Sequence, residues 1–130
     1  MRDFQRSKIY SSERLAMSHC YPVKQLTLPE CRELIQKAAK FTNGPIPMLK
    51  DGRGTRAARG SCRTINLPKW ARTNWIVLHE YTHAITEDKH CPNFARQYLK
   101  LVKRFIGKTE SDILRLSFKQ YKVKYRQSTI

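Results

Sequence analysis

Apolar residues recur at helical spacing over much of this chain, and the places where that rhythm breaks divide it into elements. Between positions 3 and 17, Phe4, Ile9, Tyr10, Leu15 and Met17 stand among charges with no proline between them, which predicts a helix of imperfect period. Thr27-Leu28-Pro29-Glu30 matches a capping box: the threonine hydroxyl accepts from the third helical amide while Glu30 reaches back to the cap. The inner stripe of that second helix is Cys31, Leu34, Ile35 and Ala38. It should stop before Asn43-Gly44-Pro45, where Gly44 allows a left-handed turn and Pro45 prevents continuation.

From Pro45 to Pro68 the texture changes to short apolar runs, Ile46 to Leu49 and Thr64 to Leu67, separated by Asp51-Gly52-Arg53-Gly54 and by Gly60. That punctuation predicts two or three antiparallel strands with tight turns. Pro45, Pro47 and Pro68 suit strand ends and edges, because proline donates nothing to a ladder. Thr73 or Asn74 caps the next helix, which Trp75, Ile76, Val77, Leu78, Ala84 and Ile85 surround with apolar side chains and so place in the interior. A break at Glu87-Asp88-Lys89 precedes a helix opened by Pro92, carrying Phe94, Tyr98, Leu101, Val102 and Phe105, with Gly107 as its stop. A last helix, capped within Thr109 to Asp112, carries Ile113, Leu114, Leu116, Phe118 and Tyr121 before a basic tail. The expected class is α+β, a small antiparallel sheet packed on an internal helix with further helices around it.

A length of 130 residues suits a single domain spanning 1–130, and no repeat or low-complexity tract divides it. The apolar fraction of 40% argues for a globular chain rather than a disordered one. No run approaches the roughly 18 to 20 apolar residues of a membrane span, and Met1-Arg2-Asp3-Phe4-Gln5-Arg6 lacks the apolar core of a signal peptide. The expectation is a soluble, cytoplasmic protein. Cys20, Cys31, Cys62 and Cys91 form no C-x-x-C pair and read as four reduced thiols, mostly buried. A zinc site built from all four would lack the close ligand pairs of structural zinc.

Charge widens the picture. Lys and Arg number 26 against 10 Asp and Glu, a formal charge of +16 that favours nucleic acid, anionic membrane or acidic protein as partners. The cations run from Arg2 through Lys50, Arg53, Arg56, Arg59 and Lys100 to Arg126. A generally basic surface with non-specific nucleic-acid affinity accounts for that spread as well as a dedicated groove does.

The candidate chemistry lies in the internal helix, where His79-Glu80-Tyr81-Thr82-His83 forms an H-E-x-x-H motif. Side chains four apart stand on one helix face about 5 to 6 Å apart, so two imidazoles converge on one zinc ion while Glu80 projects toward the same cavity as a base. Burying these groups after Trp75-Ile76-Val77-Leu78 would be expensive without a partner such as a metal. A catalytic zinc needs a third protein ligand and an open position for water. His90, just beyond the break, is the first candidate, with Glu87 and Asp88 as alternatives. The metzincin pattern is absent, because position 89 is Lys and position 86 is not glycine. Cys91 reads as packing or capping, His19 as a surface histidine. Tyr81 and Tyr98 could donate to an oxyanion, but nothing in the sequence separates them from ordinary tyrosines.

Ile76 to Ile85 around this motif, then His90-Cys91-Pro92-Asn93-Phe94, Leu101-Val102 and Phe105-Ile106-Gly107, resemble a family of small bacterial and phage metallohydrolases. Arg2 to Arg6 with Ile9-Tyr10 and Glu13 is similar to that family's opening, and Arg53-Gly54-Thr55-Arg56 with Ala58 to its middle, so the likeness covers nearly the whole chain. Cys91 stands where the family's H-G-P-x-F has glycine. The pattern H-E-x-x-H followed by H-x-P-x-F is also similar to SprT-like zincins, in which a third histidine opens a following helix. The resemblance implies His79, His83 and His90 as zinc ligands, Glu80 as catalytic base and a compact zincin fold with a small sheet beside the active helix. It implies no substrate.

The expected function is therefore a zinc-dependent hydrolase, of metallopeptidase type, acting on protein or peptide substrates with Glu80 as general base. By zincin analogy the strand near Thr64 to Leu67 forms a rim that pairs with an extended substrate. Two further readings draw on the charge: a basic nucleic-acid-associated module with a structural zinc, and a peptidase acting on DNA-bound proteins. An enzyme-derived interaction protein is a fourth, against which Glu80 argues because a structural zinc site has no use for that carboxylate. The sequence leaves the oligomeric state open.

Overall fold

Thr27 does what its sequence context requires. Its hydroxyl accepts from the Glu30 amide at 3.2 Å, and the Glu30 carboxylate accepts from the Thr27 amide at 2.9 Å, closing the capping box. From such local signals the computed structural model builds five α-helices and a small three-stranded sheet, over described residues 3, 5–20, 22–86 and 89–125. In chain order these are α1 (Arg6–His19), α2 (Leu28–Thr42), β1 (Met48–Lys50), β2 (Arg59–Gly60), β3 (Thr64–Asn66), a 3-10 turn (Lys69–Ala71), α3 (Asn74–Ile85), α4 (Pro92–Phe105) and α5 (Lys108–Gln120). The class is α+β. No described helix is long and apolar enough to cross a membrane. Expectations resting on Arg2, Phe4, Glu87, Asp88 and Arg126 lie outside the described residues.

Two compact units emerge, Val23–Ile85 and Met1–Pro22 with Thr86–Ile130. In the first, α2 packs on α3 and β2 lies against α3. Cys31, Ile35, Ala38 and Ala39 of α2 are buried as its stripe predicts, while Leu34 is only half-buried. The left-handed residue that ends α2 is Asn43 (φ 53°), not Gly44. Gly44 is required for space instead, since a Cβ there would come within 2.8 Å of the Tyr81 hydroxyl and 2.9 Å of Ile85. That hydroxyl donates to the Pro45 carbonyl at 2.8 Å, fastening α3 to the chain leaving α2.

The sheet corrects the antiparallel expectation. Its order is β1-β3-β2, with β1 and β3 parallel and β2 antiparallel to β3. Turn chemistry explains the difference. Asp51 Oδ1 accepts from the Arg53 amide at 2.9 Å, and Gly52 and Gly54 take φ of 74° and 81°, but this reversal does not pair the flanking runs directly. The chain instead continues to Arg59-Gly60, which forms an edge strand, so Gly60 is a strand residue rather than a separator. Ile65 and Leu67 carry the sheet's buried side chains, and Met48 on β1 stays 65% exposed.

In the second unit, α1 and α4 both pack on α5. The buried face of α1 is Ile9, Ser12, Glu13 and Ala16, a regular helical stripe whose period was obscured by its two polar members. Both are satisfied: Glu13 accepts from the Tyr98 hydroxyl at 2.6 Å and the Ser12 hydroxyl donates to the Lys8 carbonyl at 2.7 Å. On α4, Pro92 occupies the first turn, and Phe94, Tyr98, Leu101 and Val102 are buried as expected, joined by Ala95. Helix α5 departs from its expected form twice. It begins at Lys108 behind Gly107 with no side-chain cap, and its buried face is Ser111, Leu114, Ser117 and Phe118, leaving Leu116 64% exposed. Small serines allow close helix approach there, with their hydroxyls donated to the Leu99 and Ile113 carbonyls. Of the cysteines, all free, only Cys31 is fully buried, which corrects the expectation that most are; Cys62 is exposed.

Candidate metal centre

Of the two capping candidates for α3, Thr73 caps it, accepting from the Ile76 amide at 3.2 Å. Trp75, Val77, Leu78, Tyr81 and Ala84 bury the helix on most of its surface, and with them His79 at 1% exposure and Glu80 at 5%. His83 is half-buried. The His79 and His83 rings lie 5.3 Å apart, centroid to centroid, at an interplanar angle of 64°, the pairing that i and i+4 positions provide. Strand β2 meets this helix at the motif itself. A Cβ on Gly60 would lie 2.1 Å from the Glu80 carbonyl oxygen, so only glycine permits that approach.

His90 occupies irregular backbone before α4, where no helical ladder holds it. Other groups do. Its Nδ1 lies 2.8 Å from Asp3 Oδ2, its amide donates to Asp3 Oδ1 at 3.2 Å, and Gln5 Nε2 donates to its carbonyl at 3.0 Å. The ring lies 5.2 Å from Tyr10 and 4.8 Å from Phe94, tilted against both, and is 5% exposed. Burial presses the Asp3 carboxyl upward, but the hydrogen bonds and charge of His90 outweigh it and hold the group below its ordinary value. The roles of Asp3 and Gln5 escaped the sequence reading, because no pattern announces a partner 87 or 85 residues away.

His79, His83 and His90 each offer one ligand atom, and these atoms all lie within 4.8 Å of one another, so the three residues could hold a metal ion. The donor set suits one. Three neutral imidazoles match known catalytic zinc sets and suit copper, iron and nickel, so the identity of the ion is a separate question.

The remaining sequence candidates fall elsewhere. Tyr81 and Tyr98 are fully buried and donate their hydroxyls to the Pro45 carbonyl and to Glu13. His19 is exposed at the end of α1. Cys91 is the N-cap residue of α4, though its side chain makes no capping hydrogen bond. Glu87 and Asp88, the alternative third ligands, lie outside the described residues. The rim assigned to Thr64–Leu67 is corrected: β3 is the middle strand, paired on both sides, so that segment offers no free edge for strand addition, and the edges of the sheet are β1 and β2. Comparison of the chain with family models, curated proteins and solved structures finds no match.

Proposed function

We propose that the protein is a zinc-dependent hydrolase, most naturally a metallopeptidase, with His79, His83 and His90 as the ligands and Glu80 as the general base. The observation that carries this reading is the convergence of the three histidine donor atoms within 4.8 Å. Glu80, buried beside His79, strengthens it. His79, His83 and His90 would hold the zinc ion, which when bound would supply Lewis acidity and lower the pKa of a water toward about 7. Glu80 takes up the proton of the attacking water at its carboxylate and hands it to the leaving amine as the C–N bond breaks. Burial of the pair limits solvent competition for that proton. The zincin architecture suggested by the family resemblance belongs to the same proposal.

Two paired measurements test it. Protein purified without chelators should carry about one zinc per chain, or rebind it. Glu80→Gln should keep the metal and the fold while lowering turnover on a responsive peptide or protein substrate by about 10²–10⁴-fold. Wild type that neither carries nor rebinds zinc defeats the reading, as does equal turnover by the two proteins.

One observation favours a second role, nucleic-acid association. Arg96, Lys100, Lys103 and Arg115 surround a cavity of about 480 Å³ with Leu99 and Tyr125 in its wall, on a chain of charge +16. Such contacts are dominated by counterion release, so bound nucleic acid should dissociate in high salt. Binding that persists unchanged would point to base recognition instead.

A further inference from the structure

His90 presents a problem that α3 solves for His79 and His83 without help. A helix fixes the backbone of its ligands and leaves only two side-chain torsions to settle; a loop histidine must be fixed in backbone, rotamer and tautomer. Neutral imidazole carries one proton, and only the unprotonated nitrogen can bind a metal. The residues that settle all three for His90 come from the other end of the chain.

We infer that Asp3 is the positioning residue for the third metal ligand, accepting the Nδ1 proton of His90 and so presenting Nε2 to the ion. This rests on the metal-centre reading for its consequence, but the geometry is independent of it. One carboxylate meets two donors of the same residue, the ring Nδ1 at 2.8 Å and the amide at 3.2 Å. That fork fixes ring and backbone together. Gln5, 8% exposed, closes the arrangement by donating to the His90 carbonyl at 3.0 Å and clasping Lys124 on both sides, from its amide at 2.6 Å and to its carbonyl at 3.1 Å. Tyr10 and Phe94 restrict the ring laterally. A carboxylate on the far nitrogen of a ligating histidine sets its tautomer and raises its basicity, and its loss typically costs about 10–100-fold in metal affinity.

The test uses the full chain in three forms, wild type, Asp3→Ala and Asp3→Asn, with two readouts. Circular dichroism first establishes that each variant is folded. Long-range ¹H–¹⁵N correlation spectra of the metal-free protein, taken at a pH where His90 is neutral, then report which ring nitrogen carries the proton. Wild type should show the Nδ1–H tautomer, and Asp3→Ala should lose that preference. Zinc titration should show affinity falling about 10–100-fold in Asp3→Ala. The fall should be smaller in Asp3→Asn, whose single acceptor oxygen can serve only one of the two donors. A wild-type Nε2–H tautomer, or a tautomer and zinc affinity unchanged in folded Asp3→Ala, overturns the inference. Wild type that binds no zinc refutes the metal-centre reading alone, because the tautomer comparison still decides whether Asp3 governs the ring.

Discussion

Gly60→Ala offers the most direct test of how the sheet is seated on the motif helix. A methyl group there would lie 2.1 Å from the Glu80 carbonyl oxygen, 2.7 Å from its carbon and 2.8 Å from its Cα. All three atoms belong to backbone, so no rotamer change relieves the contact; β2 and α3 must part by about 1 Å to restore ordinary separation. Overpacking of this kind costs about 1–3 kcal/mol. The two ladder positions that β2 shares with β3, Arg59 with Asn66 and Gly60 with Ile65, cannot hold the strand against the displacement. A loss of about 2 kcal/mol lowers the melting temperature of a chain this long by roughly 6–12 °C, measurable by circular dichroism. Gly54→Ala is the control. Its Cβ would meet nothing within 4 Å, so only the strain of φ 81° remains, about 1 kcal/mol and a correspondingly smaller shift. A Gly60→Ala protein that melts within about 2 °C of wild type would refute the close approach.

Single alanine substitutions at His79, His83 and His90 should each weaken zinc binding in titrations, because a three-ligand set loses one donor in every case; full affinity in all three would remove the cluster from metal binding. The Cys31 thiol is pushed up to about 11, chiefly by burial and against the pull of Arg72, while an ordinary thiol lies near 9.0. The neutral form is thus favoured in the folded state. Its contribution should be fully present below the unfolded value and decline as pH rises from about 9 to 11, a slope that Cys31→Ala should flatten in denaturant titrations. A thiol reagent should label exposed Cys62 first and Cys31 only on unfolding; early labelling of Cys31 would contradict its burial.

Local signals carried much of this protein in the sequence. The capping box before α2, proline in the first turn of α4, the apolar run of α3 and the i, i+4 histidines all appear as read, because each depends on residues within a turn or two of one another. Where polar residues joined a buried face, the apolar pattern alone misplaced it: Ser111 and Ser117 face inward on α5 and Leu116 does not, since close helix packing favoured small side chains whose hydroxyls could reach carbonyls.

Tertiary structure decided what depends on distant partners. The parallel pairing of β1 with β3 follows from where the chain returns, not from the alternation of either strand. Gly60 read as a breaker because the sequence cannot display the Glu80 carbonyl against which it packs. The motif announced His79 and His83 through helical geometry, and His90 through proximity and family likeness. The Asp3 carboxylate on His90 had no local signature, because a hydrogen bond spanning 87 residues is created only when the chain folds back on itself.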